Sequence, residues 1–147
     1  ITRLVDMGVE PFLMSSSVIA SMSQRLARKI CENCREPYDP PRDMLMGFGF
    51  DPDAPENRDM VFYHGRGCEN CRQTGYRGRI GVYELMTMNQ EIAELIVKRA
   101  SAGQIKEAAL AAGMVTLQKD GFRKVLKGVT TVEELTRIVF TAGSYSG

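Results

Sequence analysis

All four cysteines of the 147-residue chain fall into two CxxC pairs, Cys31-Glu32-Asn33-Cys34 and Cys68-Glu69-Asn70-Cys71. Two thiolates three positions apart on a tight turn grip one ion from one side. A second such knuckle completes a tetrahedral shell. The pattern therefore points to one structural zinc per chain, ligated by Cys31, Cys34, Cys68 and Cys71. Both knuckles carry the same inner pair, Glu-Asn, and Arg follows each of them (Arg35 and Arg72). These two cations, with Arg28 and Lys29, are expected to offset the negative charge of a zinc tetrathiolate.

Between Cys34 and Cys68 lie 33 residues, more than in the commonest zinc motifs. Closing so long a loop costs roughly 3 kcal/mol of chain entropy. Structural zinc in finger peptides supplies about 10–16 kcal/mol, so the metal outweighs the loop. The competing readings are disulfides in a secreted domain, a redox CxxC and an iron–sulfur cluster. No secretory signal is recognisable in the sequence given, and two CxxC pairs without a thioredoxin-like context are unusual for redox work. Four thiolates leave no open coordination position, which disfavours catalytic zinc. His64, the only histidine, lies close to the second knuckle. It is read as a surface residue or a partner of a ligand rather than as a substitute ligand.

Several elements must position these thiols. The opening segment reads as a helix end closed by Gly8, followed by an extended piece, Glu10-Pro11-Phe12-Leu13, because Pro11 disfavours helix at Glu10. Ser15, Ser16 and Ser17 offer N-caps to a short helix carrying Val18, Ile19 and Met22. Residues 24–30 lead into the first knuckle as strand or helix, and periodicity leaves both open. Residues 35–60, punctuated by Pro37, Pro40, Pro41, Pro52 and Pro55, read as a long, weakly structured arm with at most one helical turn over 43–46. A metal at both ends explains how so long a loop can exist in a compact domain. Strands are expected over 61–63 and 79–86. Beyond Met86 the chain turns helical. Asn89 caps a helix presenting Ile92, Leu95 and Ile96. Ser101 and Gln104 form a capping box for a helix ending at Gly113. Residues 117–127 stop at Gly128. Thr131 with Glu134 opens the last helix with a second capping box. Residues 144–147 read as a frayed tail.

A hydrophobic fraction of 44% suffices for a core, and 147 residues make one domain or two small ones. Nineteen basic against 18 acidic residues leave a formal charge of +1, which demands neither nucleic acid nor an anionic membrane. No apolar run approaches the roughly 18 residues of a membrane-spanning helix. The chain opens at Ile1 with no preceding Met, in what looks like the middle of a helix. It is read as a fragment of a larger protein.

Other chemistry is sparse. There is no G-x-x-x-x-G-K-[ST] phosphate loop, no G-x-S-x-G elbow and no second histidine. The glycines and cations of Gly65-Arg66-Gly67 and of Gly75-Tyr76-Arg77-Gly78-Arg79 could cradle a phosphate, but tight turns around a zinc knuckle explain them better. Glu133 and Glu134 read as a solvated helix start favoured by the macrodipole, not as an acid–base dyad. Arg72, Arg77 and Arg79 with Tyr76 support an alternative function, a zinc-ribbon nucleic-acid-binding module. Near-zero net charge and the acidic arm of Asp51, Asp53, Glu56 and Asp59 stand against it.

The run from Gly67 through Cys68-Glu69-Asn70-Cys71-Arg72-Gln73-Thr74-Gly75-Tyr76-Arg77-Gly78-Arg79-Ile80-Gly81-Val82-Tyr83-Glu84-Leu85 resembles the C-terminal segment of the type II secretion and type IV pilus assembly ATPases. Arg3-Leu4-Val5-Asp6-Met7-Gly8-Val9-Glu10-Pro11-Phe12-Leu13 with Gln24-Arg25-Leu26 is similar to that family just past its histidine box. Gly113-Met114-Val115-Thr116-Leu117-Gln118-Lys119-Asp120-Gly121 matches as well. The resemblance implies an α+β chain: the C-terminal remnant of a RecA-like motor domain in residues 1–30, a tetracysteine zinc-knuckle subdomain with short antiparallel strands in 31–85, and a small helical bundle in 86–147. It implies a homo-hexameric parent, cytoplasmic and peripheral to the bacterial inner membrane. That parent would use ATP and Mg2+ and work with an inner-membrane platform protein and other secretion or pilus components, with no nucleic acid. The phosphate loop, aspartate box, Mg2+-binding segment and histidine box would all lie upstream of Ile1. The fragment is therefore expected to be a structural and docking module without ATP turnover. No catalytic or cofactor-binding residue is assigned. Gln24 and Arg25 sit in a family-like motif and are left without a role.

Overall fold

The computed structural model describes residues 2–140, so the tail 144–147 lies outside the described residues. The elements are α1 (Thr2–Asp6), α2 (Pro11–Ser17), β1 (Ala20–Ile30), β2 (Arg35–Tyr38), α3 (Arg42–Gly47), β3 (Phe62–Gly65), β4 (Tyr76–Thr87), α4 (Gln90–Val97), α5 (Ala102–Ala111), α6 (Leu117–Leu126) and α7 (Val132–Phe140). The architecture is mixed α+β, with two small two-stranded sheets, β1–β4 and β2–β3. Two compact units divide the chain discontinuously. One holds the residues up to Ser23 and Glu84–Thr116. The other holds Gln24–Tyr83 and the residues from Leu117 onward. The helical stretch beyond Met86 thus contributes to both.

In the first unit, Gly8 closes the opening turn at φ +92°. The segment around Pro11, expected to be extended, is helical. Pro11 occupies the first turn of α2, where its missing N–H costs nothing and its fixed φ suits the helix. Only Glu10 obeys the pre-proline bias, with ψ 125°. Ser15 and Ser16, expected as caps of a following helix, instead end α2. Their hydroxyls donate back to the Phe12 carbonyl at 2.9 and 3.0 Å. Val18 is extended, Ile19 lies in no helix and Met22 lies in β1.

The helices α4 and α5 form as their caps dictate. Asn89 Oδ1 accepts from the Ile92 N–H at 2.8 Å, and Ser101 exchanges bonds reciprocally with Gln104. Met14, Ile92, Ile96, Ile105, Ala108 and Ala109 make this unit's core.

The second unit contains the cysteines. Residues 24–30 belong to β1, which resolves the strand–helix ambiguity. The arm between the knuckles is better ordered than its prolines suggest. β2 pairs antiparallel with β3 in the register Arg35↔Gly65, Glu36↔His64, Pro37↔Tyr63 and Tyr38↔Phe62. Pro37 is tolerated because a two-stranded sheet consists of edges. α3 then buries Leu45. Phe50 meets Phe62 edge-on at 5.5 Å between centroids and meets Phe122 at 5.4 Å. These rings join Ala27, Val82, Val125, Val132, Leu135 and Ile138 in one core.

Glu134, read from sequence as solvated, is buried at 1% exposure. Its oxygens accept from Arg28 (backbone N 2.9 Å, Nε 3.0 Å, Nη2 2.7 Å) and from Arg137 (Nε 3.0 Å, Nη2 2.7 Å). The cap at Thr131 survives through its own hydroxyl, which accepts from the Glu134 N–H at 3.1 Å. The half-buried Glu133 accepts from Tyr38 Oη at 2.7 Å.

Candidate metal centre

Each knuckle is one 3-10 turn at the end of extended chain. Cys31 follows β1 directly, and the turn Glu32–Cys34 brings Cys34 round. Cys31 N donates to the Gly75 carbonyl at 2.9 Å, which ties the first knuckle to the segment leaving the second. Arg66 N donates to the Cys34 carbonyl at 3.1 Å. The second turn, Glu69–Cys71, ends with Arg72 at φ 53° and Gln73 at φ 64°. Two successive left-handed residues fold the chain back so that Gln73 N reaches the Cys68 carbonyl at 2.9 Å.

Glycines permit the close approach. A Cβ on Gly65 would lie 2.1 Å from the Gly75 carbonyl oxygen, and one on Gly75 would lie 2.2 Å from that of Gly65. These glycines and Gly67 serve tight turns and backbone contact, which explains the glycine–arginine pattern without a phosphate.

The four sulfurs lie within 4.8 Å of one another. Cys68 and Cys71 are 3.7 Å apart, Cys34 and Cys71 3.8 Å, and Cys31 and Cys68 3.9 Å. A tetrahedral zinc tetrathiolate with bonds of about 2.3 Å has sulfur–sulfur edges of about 3.8 Å. Three of the six edges match that figure and the donor set suits zinc. Cys31, Cys34 and Cys71 are buried and Cys68 is half-buried.

Charge compensation differs from the sequence expectation. Arg28 is committed to Glu134, Arg35 stacks over the Tyr63 ring at 3.8 Å, and Lys29 approaches Glu32 at 3.9 Å. Amides face the sulfurs instead. Cys71 Sγ accepts from the backbone N–H groups of Cys68 at 3.2 Å and Gly75 at 3.3 Å. Asn33 Nδ2 donates to Cys68 Sγ at 3.5 Å. Neutral donors of this kind orient ligands and disperse thiolate charge.

The thiols respond unequally. Burial pushes Cys34 up to about 12 against the Gly67 N–H. Burial also raises Cys71, but the Cys68 and Gly75 N–H groups prevail and bring it down to about 6. The Asn33 amide draws Cys68 below the ordinary thiol value against its own burial.

His64 stands apart from the cluster. It pairs with Glu36 at 3.3 Å and stacks on Tyr38 at 4.7 Å. In the basic stretch, Arg77 bonds Asn70, and the Arg28 guanidinium lies 4.2 Å above the Tyr76 ring and covers that face. Sequence reasoning missed a brace under the first knuckle, made by the segment between α6 and α7. Ile30 N donates to the Val129 carbonyl at 2.9 Å, Thr130 Oγ1 donates to the Arg28 carbonyl at 2.8 Å, and Tyr76 Oη bonds Thr131 Oγ1 at 2.7 Å. The only signal was a run of Val and Thr between two helices.

The family model described as type II/IV secretion system protein matches residues 1–137. The chain is 45% identical over 94% of its length to the type II secretion system protein E of Pseudomonas aeruginosa, covering 26% of that protein. It is 44% identical over 92% of its length to the type IV pilus assembly ATPase PilB of Thermus thermophilus, covering 15% of it. The type II secretion system ATPase E of Vibrio cholerae is 38% identical over 94% of this chain, with 26% of that protein covered. The chain thus spans about a quarter or less of these relatives. With the match extending over nearly all its residues, the chain belongs to the type II/IV secretion system protein family.

Proposed function

We propose that this chain is the metal-clipped C-terminal part of an ATPase that powers type II secretion or type IV pilus assembly. The single observation that carries the reading is the cluster of Cys31, Cys34, Cys68 and Cys71, its sulfurs all within 4.8 Å of one another, inside a chain matched along its length by such ATPases. One structural zinc bound by the four thiolates would fix both ends of the 33-residue arm. No residue of the chain is assigned to catalysis.

In this reading residues 1–30 are the end of a RecA-like motor domain, 31–85 the zinc subdomain and 86–147 the helical end. The exposure of β1 supports the first assignment. Met22 and Leu26 are 60 and 47% exposed, and residues 20–26 are exposed throughout. A two-stranded ribbon with one end so open is marginal alone and suits the margin of a larger sheet. The phosphate loop, and with it ATP and Mg2+, belongs to the rest of the parent, a homo-hexamer. The parent acts in the cytoplasm against the inner membrane, with a platform protein and other secretion or pilus components. Among the described residues no helix is long and apolar enough to cross a membrane.

The test is to assay the purified chain for metal and ATP turnover together. The reading expects one zinc per chain and no turnover. Measurable hydrolysis by this chain alone would contradict it, as would tight DNA binding with a steep salt dependence.

A further inference from the structure

We infer that the cysteine cluster is an oxidant-sensitive site at which a hydroperoxide attacks Cys68 first and ends by joining it to Cys71. The inference rests on the zinc reading above. The four sulfurs are not equivalent. Cys31 and Cys34 are 1 and 5% exposed and Cys71 is 6% exposed, whereas Cys68 is half-buried. Cys71 Sγ is wrapped by two backbone N–H groups that the fold holds in place. Cys68 Sγ takes one backbone N–H, that of Cys71, and its other donor is the side chain of an exposed residue, Asn33, at 3.5 Å. The adjoining cleft of about 320 Å³ is lined by Cys31, Asn33, Asn70 and Arg77, but Cys31 itself is only 1% exposed.

Zinc-bound thiolates remain nucleophiles, and access selects among them. The Cys68 thiolate attacks one peroxide oxygen, the O–O bond breaks, and a sulfenic acid forms as hydroxide leaves. Cys71 Sγ, 3.7 Å away, then attacks the Cys68 sulfur and displaces a second hydroxide, forming the S–S bond. Two thiolates have supplied two electrons, the peroxide has been reduced to the level of water, and the ion has lost two of four ligands. It is released, both ends of the arm are freed, and a dithiol reductant with added zinc restores the site.

The experiment uses the zinc-loaded chain, its metal content measured first, treated with hydrogen peroxide in the presence of a chromogenic zinc chelator and, separately, of dimedone. The expected results are zinc release, a dimedone adduct at Cys68 ahead of the other three, and a Cys68–Cys71 disulfide in the peptide map without dimedone. Asn33→Ala keeps all four cysteines and removes the side-chain donor from Cys68 Sγ. It should release zinc roughly threefold to tenfold faster, the equivalent of one hydrogen bond. Chain purified without metal removes the inference together with the zinc reading. Zinc present but retained under excess peroxide, a first adduct on Cys31, Cys34 or Cys71, or an unchanged rate in Asn33→Ala overturns the inference alone.

Discussion

The Glu134 carboxylate, with no side-chain exposure, lies 2.7 Å from Arg28 Nη2, 106 residues earlier in the chain. Arg28 stands on β1 three residues before the first ligand, and Glu134 opens α7, so this ion pair ties the base of one knuckle to the last helix. The Arg28 and Arg137 side chains are 47 and 56% exposed, so removing the buried carboxylate strands no buried charge. Glu134→Ala does leave a void and strips the Arg28 N–H of its acceptor. It should lower unfolding free energy by about 2 kcal/mol, measured by urea denaturation. A loss below about 0.5 kcal/mol, the size of a solvated surface pair, would return Glu134 to the solvated role its sequence suggests.

The same carboxylate makes stability pH-dependent. Burial raises its pKa, but bonds from Arg137 and Arg28 prevail and hold it at about 2, against an ordinary 4.5. A folded-state pKa below the unfolded value contributes stability that is fully present above about 4.5 and lost as pH falls through 2. Between pH 5 and pH 3 the native chain should lose about 2 kcal/mol more than Glu134→Gln, the comparison cancelling the acid sensitivity of the thiolates. Parallel losses in the two proteins would show that the carboxylate is not the titrating group.

Gly65 and Gly75 approach too closely for any side chain, with a hypothetical Cβ 2.1 Å from a carbonyl oxygen. Gly75 also gives its N–H to Cys71 Sγ. Gly65→Ala should therefore cost about 1–3 kcal/mol and weaken metal retention in the same protein. Thermal melts with and without a chelator measure both. A melt identical to the native chain's would mean that the Gly65 and Gly75 segments can separate freely.

Arg72 sits at φ 53°, ψ 45°, where an L side chain costs about 1–2 kcal/mol and glycine nothing. Allowing for the extra freedom glycine gains when unfolded, Arg72→Gly should stabilise the chain by about 0.5–1 kcal/mol. Arg72→Ala should bring no gain. A destabilised Arg72→Gly would reveal a role for the guanidinium that its geometry does not indicate.

Local signals were legible where local physics decides. Asn89, Ser101, Gly113 and Gly128 mark helix ends, and each helix starts or stops there because the bond or the positive φ is a neighbour's affair. The clustering of the four cysteines was legible because CxxC spacing fixes its own turn. Pro11 misled, since a proline both ends and begins helices and only the following contacts decide. Glu134 misled because its partner lies 106 residues away. The ordering of the arm was hidden for the same reason: β2 pairs with β3 across the intervening prolines, and the Phe50 ring finds Phe62 and Phe122 only in three dimensions.

The most direct measurement is metal content of the purified chain by inductively coupled plasma mass spectrometry, beside a Cys68→Ser variant. One zinc per chain is expected, lost in the variant together with cooperative unfolding of the arm. A native chain that carries no metal, or a variant that keeps its zinc and folds as well as the native chain, would contradict the assignment of Cys31, Cys34, Cys68 and Cys71 as a zinc site.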